Sequence, residues 1–172
     1  MRLYGIIGHP LGHSFSQQFF TEKFAREGIS GARYEKFPIP DIAALPALIE
    51  RHPALCGLNV TIPHKESVVR YLDALDDTAK AVGAVNVVRI EGGRLTGFNT
   101  DVIGFEQSLL PLLPPFQRSA IPLEYVVSPL DGPSPDEMYL PQQPAALILG
   151  TGGAAKAVAY VLRKLGIRHL LV

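Results

Sequence analysis

The sequence has one cysteine in 172 residues, Cys56. A single thiol closes no intramolecular disulfide, which fits a reducing compartment and a fold held by its core. Set in an apolar run, Cys56 is expected to be a small buried hydrophobe. An excess of either charge is missing too: 16 basic and 16 acidic residues give a formal net charge of zero. Nothing in that balance points to nucleic acid or to an anionic membrane surface. Long hydrophobic runs are also lacking. No stretch approaches the roughly 20 apolar residues of a membrane-spanning helix. The opening MRLYGIIGHP carries an apolar run too short for a signal peptide. These absences lead to the expectation of a soluble, cytoplasmic protein. With 47% hydrophobic residues, the chain has enough for one full core, or for one domain and part of a second.

What is present is organised around Gly57-Leu58-Asn59-Val60-Thr61-Ile62-Pro63-His64-Lys65. Leu55 to Val60 reads as an apolar strand that Pro63 stops, because proline cannot donate to a ladder. A helix-compatible run, Lys65 to Leu72, follows. Asn59, Thr61, His64 and Lys65 thus fall around the carboxyl end of a strand, where open α/β sheets bind ligands. An ordinary turn with an N-capping Thr61 and a solvated Lys65 reads the same residues equally well.

Before this stretch, Leu3 to Ile7 reads as a strand closed by Gly8-His9-Pro10. A helix follows, with Phe15, Phe19, Phe20 and Phe24 at helical spacing and Gly28 just past its end. Ser14 and Ser16 stand at its start. Their hydroxyls can cap the helix, or they can hold an anion with its free N–H groups. Arg33 to Ile39 is a second strand, Pro40-Asp41 starts a short helical stretch, and Pro46 either breaks it or sits in the first turn of a new helix through His52. After the central stretch, Asp73 to Val82 reads as helical and ends at Gly83. Ala84 to Ile90 and Arg94 to Phe98 form a hairpin around Gly92-Gly93. Asn86 lies inside the apolar AVNVV, where a buried amide must find a partner. Asp101 opens the helical pattern that runs from Val102 to Leu112, and reads as a plain N-cap or as a site acid.

Residues 111–144 hold nine of the 15 prolines. That density excludes long regular elements, so the stretch is expected to be a linker with a surface excursion. Beyond it, Ala145 to Leu149 reads as a buried strand. Gly150-Thr151-Gly152-Gly153-Ala154-Ala155 matches G-x-G-x-x-A, Lys156 to Leu165 is a helix, and Arg168 to Val172 begins another strand. This is the first βαβ of a dinucleotide-binding fold. The residue that would separate NAD from NADP is expected about 20 residues further on, past Val172. The chain therefore reads as cut short within that fold.

Five motifs now stand in order: GHPLGHSFS, GLNVTIPHK, GAVNVV, GFNTD and GTGGAAKAVAY. Their order and spacing closely resemble the shikimate dehydrogenase family. The resemblance implies NADPH-dependent reduction of 3-dehydroshikimate to shikimate, late in the pathway to chorismate and the aromatic amino acids. It implies an α/β fold: a substrate-binding domain with a mixed sheet over 1–110, the Pro-rich linker at 111–144, and an incomplete Rossmann NADP-binding domain from 145. Ser14 and Ser16 match serines that bind the substrate carboxylate. Thr61, Asn86 and Asp101 match residues on its ring hydroxyls. Lys65 matches the catalytic lysine, paired with Asp101. Gly150, Thr151, Gly152, Gly153 and Ala154 match the phosphate loop, and Asp77 falls near a cofactor contact. No metal, nucleic acid or membrane partner is implied, and a homodimer is compatible.

Gln17 stands where many relatives have proline, and a later basic motif and C-terminal helix of the family have no counterpart before Val172. The alternatives are an NAD-dependent quinate/shikimate dehydrogenase, or a substrate-binding fragment without turnover. In the expected chemistry, reduction of a ketone leaves charge on oxygen that needs stabilising and a proton. A lysine ammonium is protonated at neutral pH and so starts as the required acid. A neighbouring carboxylate would hold it in place and favour its charge.

Overall fold

The structure, a computed structural model, describes residues 1–113 and 145–172. The linker reading for 111–144 therefore falls almost wholly outside the described residues. The described chain divides into two compact units, Met1–Thr100 and Asp101–Val172.

In the first unit the apolar runs become strands where expected. Strand β1 spans Arg2–Gly8, helix α1 Ser16–Arg26 and β2 Ala32–Pro38. Helix α2 is Leu45–Arg51, with Pro46 in its first turn, and β3 is Leu55–Val60. A two-residue strand β4, Ala74–Leu75, precedes helix α3, Asp77–Val82. The hairpin β5–β6 covers Val87–Glu91 and Arg94–Phe98. Together they build one six-stranded sheet in the order β2-β1-β3-β5-β6-β4. Strand β1 runs parallel to β2 and β3, whereas β5 is antiparallel to both β3 and β6. The sheet is mixed, as anticipated.

Alternation along the strands sorts side chains between two faces. On one face Leu3, Ile7, Phe37, Leu58, Val60 and Val88 meet Leu45 and Leu48 of α2, Val68, and Ala79 of α3. On the other, Ile6 and Tyr34 pack with Leu11 and with Phe20 and Phe24 of α1. That second face also carries a cavity of about 520 Å³, lined by Tyr4, Phe20, Phe24, Cys56, Val87 and Phe98 among others.

Several local expectations change. The run Lys65–Leu72 holds only a short 3-10 helix, Ser67–Tyr71. The segment expected to be helical from Asp73 begins instead with β4, which pairs with β6. Strand β5 starts at Val87 rather than Ala84, so Asn86 stands before the strand and not inside it. The buried amide is Asn99, 2% exposed, whose Nδ2 donates to the Ala84 carbonyl at 2.9 Å. Cys56 is half-buried rather than buried, since it lines the cavity. Phe15 and Phe19 are 80% and 54% exposed, because only Phe20 and Phe24 of the periodic set face the sheet.

In the second unit α4 is Asp101–Leu109, β7 Ala145–Ile148, α5 Gly153–Lys164 and β8 Arg168–Leu171. Strands β7 and β8 pair in parallel, which makes a βαβ unit with α5. Within this unit α4 lies against α5, and Lys164 Nζ bonds Glu106 Oε1 at 2.8 Å. Among the described residues no helix is long and apolar enough to cross a membrane.

Candidate functional site

The carboxyl ends of β1, β2 and β3 lie side by side because the strands are parallel, and backbone bonds stitch them together. The Ile39 N–H donates to Gly8 O at 3.1 Å, Thr61 N–H to Ile7 O at 3.0 Å and His9 N–H to Ile62 O at 2.9 Å. His64, 3% exposed, adds a side-chain tie: its Nε2–H donates to the Ile39 carbonyl at 2.7 Å. The Thr61–Lys65 turn, which contains a cis Ile62–Pro63 bond, is thereby fixed to two neighbouring strands. Its last residue is anchored as well, since the Lys65 carbonyl accepts from Val85 N–H at 2.7 Å.

That bond brings Lys65 next to the segment holding Asn86. Asn86 is itself wedged between strand ends: its carbonyl accepts from Val60 N–H at 2.8 Å and its N–H donates to Phe98 O at 3.0 Å. Its side chain grips Thr100, with Nδ2 donating to Thr100 Oγ1 at 2.9 Å and Oδ1 accepting from Thr100 N–H at 2.8 Å. Thr61, Lys65 and Asn86 thus gather at one sheet edge, and Asp101 follows Thr100 directly as the first residue of α4.

Ser14 and Ser16 lie in the loop leaving β1 and at the start of α1. Neither caps α1 in the expected way: the N-cap is Phe15, with no side-chain bond to the first turn. Ser14 Oγ accepts only a long 3.4 Å bond from Ser16 N–H. The Tyr34 hydroxyl donates to Asn59 Oδ1 at 2.7 Å. Burial raises the Tyr34 pKa above the ordinary phenol value, opposed by the nearby Ser16 hydroxyl. Tyr34 carried no signal in the sequence, where it reads as one more apolar strand residue. Asp77 lies at the start of α3, fully exposed and paired with Lys80 at 3.2 Å. The cavity on the α1 face is not lined by Ser14, Ser16, Thr61, Lys65, Asn86 or Asp101.

The second unit presents the Gly-rich turn between β7 and α5. Gly150 has φ +104°, which a side chain rarely adopts. Gly152 caps α5 in extended conformation, and no side chain bonds the first turn. A Cβ built on Gly150 or Gly152 meets nothing within 4 Å. Open space beside helix N–H groups suits a pyrophosphate, so these residues fit the dinucleotide expected of the motif. Among the described residues no cluster of His, Cys, Asp and Glu is arranged to hold a metal ion.

Residues 6–88 match the model of the shikimate dehydrogenase substrate binding domain. Along nearly its whole length the chain is similar to shikimate dehydrogenases. It is 37% identical over 172 residues to the NADP(+) shikimate dehydrogenase of Aquifex aeolicus, covering 99% of this chain and 54% of that one. Its fold superposes on shikimate dehydrogenase 1 of Peptoclostridium difficile with TM-score 0.77 at 30% identity, covering 99% of this chain and 56% of that one. The Thermus thermophilus family member, solved in complex with NADP(H) and shikimate, aligns with TM-score 0.72 at 31% identity, covering 99% and 55%. The chain spans about half the length of the curated relatives it matches.

Proposed function

We propose that this chain is the substrate-binding half and the opening βαβ of an NADPH-dependent shikimate dehydrogenase, which reversibly reduces 3-dehydroshikimate to shikimate. The observation that carries the reading is the convergence of Thr61, Lys65 and Asn86 on one sheet edge, in a chain whose residues 6–88 match the family's substrate domain. In this reading the substrate domain covers 1–110. A Pro-rich connection follows over 111–144, and 145–172 opens the NADP domain.

Ser14 and Ser16 take the substrate carboxylate, while Thr61, Asn86 and Asp101 hold its ring hydroxyls. Lys65 gives its ammonium proton to the carbonyl oxygen as charge develops there, and Asp101 keeps Lys65 positioned. Gly150, Thr151, Gly152, Gly153 and Ala154 hold the phosphates of NADPH, with Asp77 as a further contact. When bound, NADPH supplies the hydride. The protein acts on a small molecule in the cytoplasm and is compatible with a homodimer.

NADPH oxidation with 3-dehydroshikimate, measured on the full chain and on Lys65→Ala, tests the reading. Turnover is expected to fall about 10²- to 10⁴-fold in the variant, as for loss of a general acid, with shikimate still bound. Binding without turnover would confine the chain to the substrate half. A chain that neither binds shikimate nor turns over would overturn the proposal.

A further inference from the structure

Lys36 lies near the carboxyl end of β2, paired in register with Ile6 of β1. Strand alternation puts it on the same face as Tyr34, which packs with Phe20 and Phe24 of α1, and puts Glu35 on the other. Its Nζ donates to the Leu11 carbonyl at 3.3 Å. The same carbonyl accepts from Ser14 N–H at 3.2 Å. Both donors meet at one oxygen, so the ammonium stands within two hydrogen-bond lengths of the Ser14 backbone. Ser14 Oγ in turn accepts from Ser16 N–H at 3.4 Å. A continuous set of contacts thus joins Lys36 to both serines.

A lysine on an edge strand commonly serves to keep other strands away, with its head in water. Strand β2 is at the edge of the sheet, yet the Lys36 side chain is half-buried and bent onto the loop that follows β1. Its partner carbonyl already has the Ser14 N–H, so the fold does not need the second donor. Among the described residues no carboxylate pairs with the Lys36 ammonium, while the neighbouring Glu35 is engaged by Arg33 at 3.1 Å.

The chemistry of the loop calls for such a charge. Two serine hydroxyls can hydrogen-bond a carboxylate, but they are neutral. An anion leaving water loses hydration that neutral donors replace only in part, and charge-assisted bonds are the stronger ones. From Gly8 to Gln18 the sequence has no lysine or arginine. A cation for this segment has to come from elsewhere in the fold, and β2 brings one to it.

We propose that Lys36 makes the Ser14–Ser16 segment selective for a carboxylate: it is a positioning residue that braces the segment through Leu11 and places a positive charge beside it. The inference rests on the reading in which Ser14 and Ser16 hold the substrate carboxylate.

Shikimate and its methyl ester share a ring and differ in charge at the group concerned. Calorimetric binding of both is measured on the full wild-type chain, Lys36→Met, Lys36→Gln and Lys36→Arg. Methionine keeps an apolar stem and removes charge and donor, glutamine keeps an N–H donor without charge, and arginine keeps the charge. Lys36→Met is expected to weaken shikimate by about five- to tenfold, the effect of one charge a few ångströms away at a half-buried site, and to leave the ester within about twofold. Lys36→Gln is expected to lose as much, and Lys36→Arg to stay within about twofold of wild type for both ligands, because the interaction follows the charge. Equal losses for acid and ester, or undiminished shikimate affinity in Lys36→Met, would overturn the proposal. Full recovery in Lys36→Gln would overturn it too, since the bond to Leu11 would then suffice. Should Lys36→Met fail to fold, Lys36→Gln against Lys36→Arg carries the same comparison. Absence of shikimate binding by the wild type would instead overturn the parent reading.

Discussion

His64 shows how a residue beside the chemistry can serve the fold. Its ring is buried, and its Nε2–H satisfies the Ile39 carbonyl at the end of β2. Without that donor, a carbonyl in a water-poor corner loses its partner. We expect His64→Leu to lower stability by about 1–3 kcal/mol, the cost of an unsatisfied buried acceptor, read as a lower urea midpoint. The residue is legible in the sequence only as part of the motif TIPHK; its partner, 25 residues earlier, is not. Asn86 teaches the same lesson in reverse. Its amide looked as if it belonged to a buried strand, yet it stands at the strand's edge and clasps Thr100, 14 residues on.

Strands β1 and β3 come close enough at their carboxyl ends that only glycine fits at position 8. A Cβ there would stand 2.4 Å from Thr61 Cγ2 and 2.8 Å from the Ile62 carbonyl oxygen. The carbonyl is backbone and cannot swing aside, so the Thr61–Lys65 turn itself must move. Gly8→Ala is expected to destabilise by about 1–3 kcal/mol, as overpacking does, and to weaken shikimate binding in the same protein. Gly31→Ala, where a Cβ meets nothing within 4 Å, serves as the control and is expected to do neither. Wild-type shikimate affinity in Gly8→Ala would show that the turn does not depend on this approach. Most strands were readable from their apolar runs and from glycine and proline punctuation. The 3-10 segment at Ser67–Tyr71 was not, because an α-turn and a 3-10 turn place their side chains almost alike over so short a run.

The two units differ in how much holds them. The first has a six-stranded sheet packed on both faces. The second, among the described residues, has two strands and a small cluster around Ile148, Leu162 and Ile167. Its strand residues Leu147 and Leu170 are 61% and 63% exposed. A two-stranded sheet is marginal without further cover. Amides of β7 and β8 are therefore expected to exchange with solvent well before those of β1 and β3. Uniform protection across both sheets would contradict that ordering.

Most of the order of elements and the Gly-rich turn were settled by local pattern, and the mixed class of the first sheet by the resemblance. Period 2 and period 3.6 are written within a few residues, and Gly and Pro act on their own backbone. Chain order also sufficed to recognise the family, since five motifs in sequence need no contacts to be seen. Which groups touch was decided only by tertiary structure. Tyr34 finds Asn59, and the Lys65 carbonyl finds Val85 through strand order and register. Register is a property of two strands at once, and no single stretch of chain contains it.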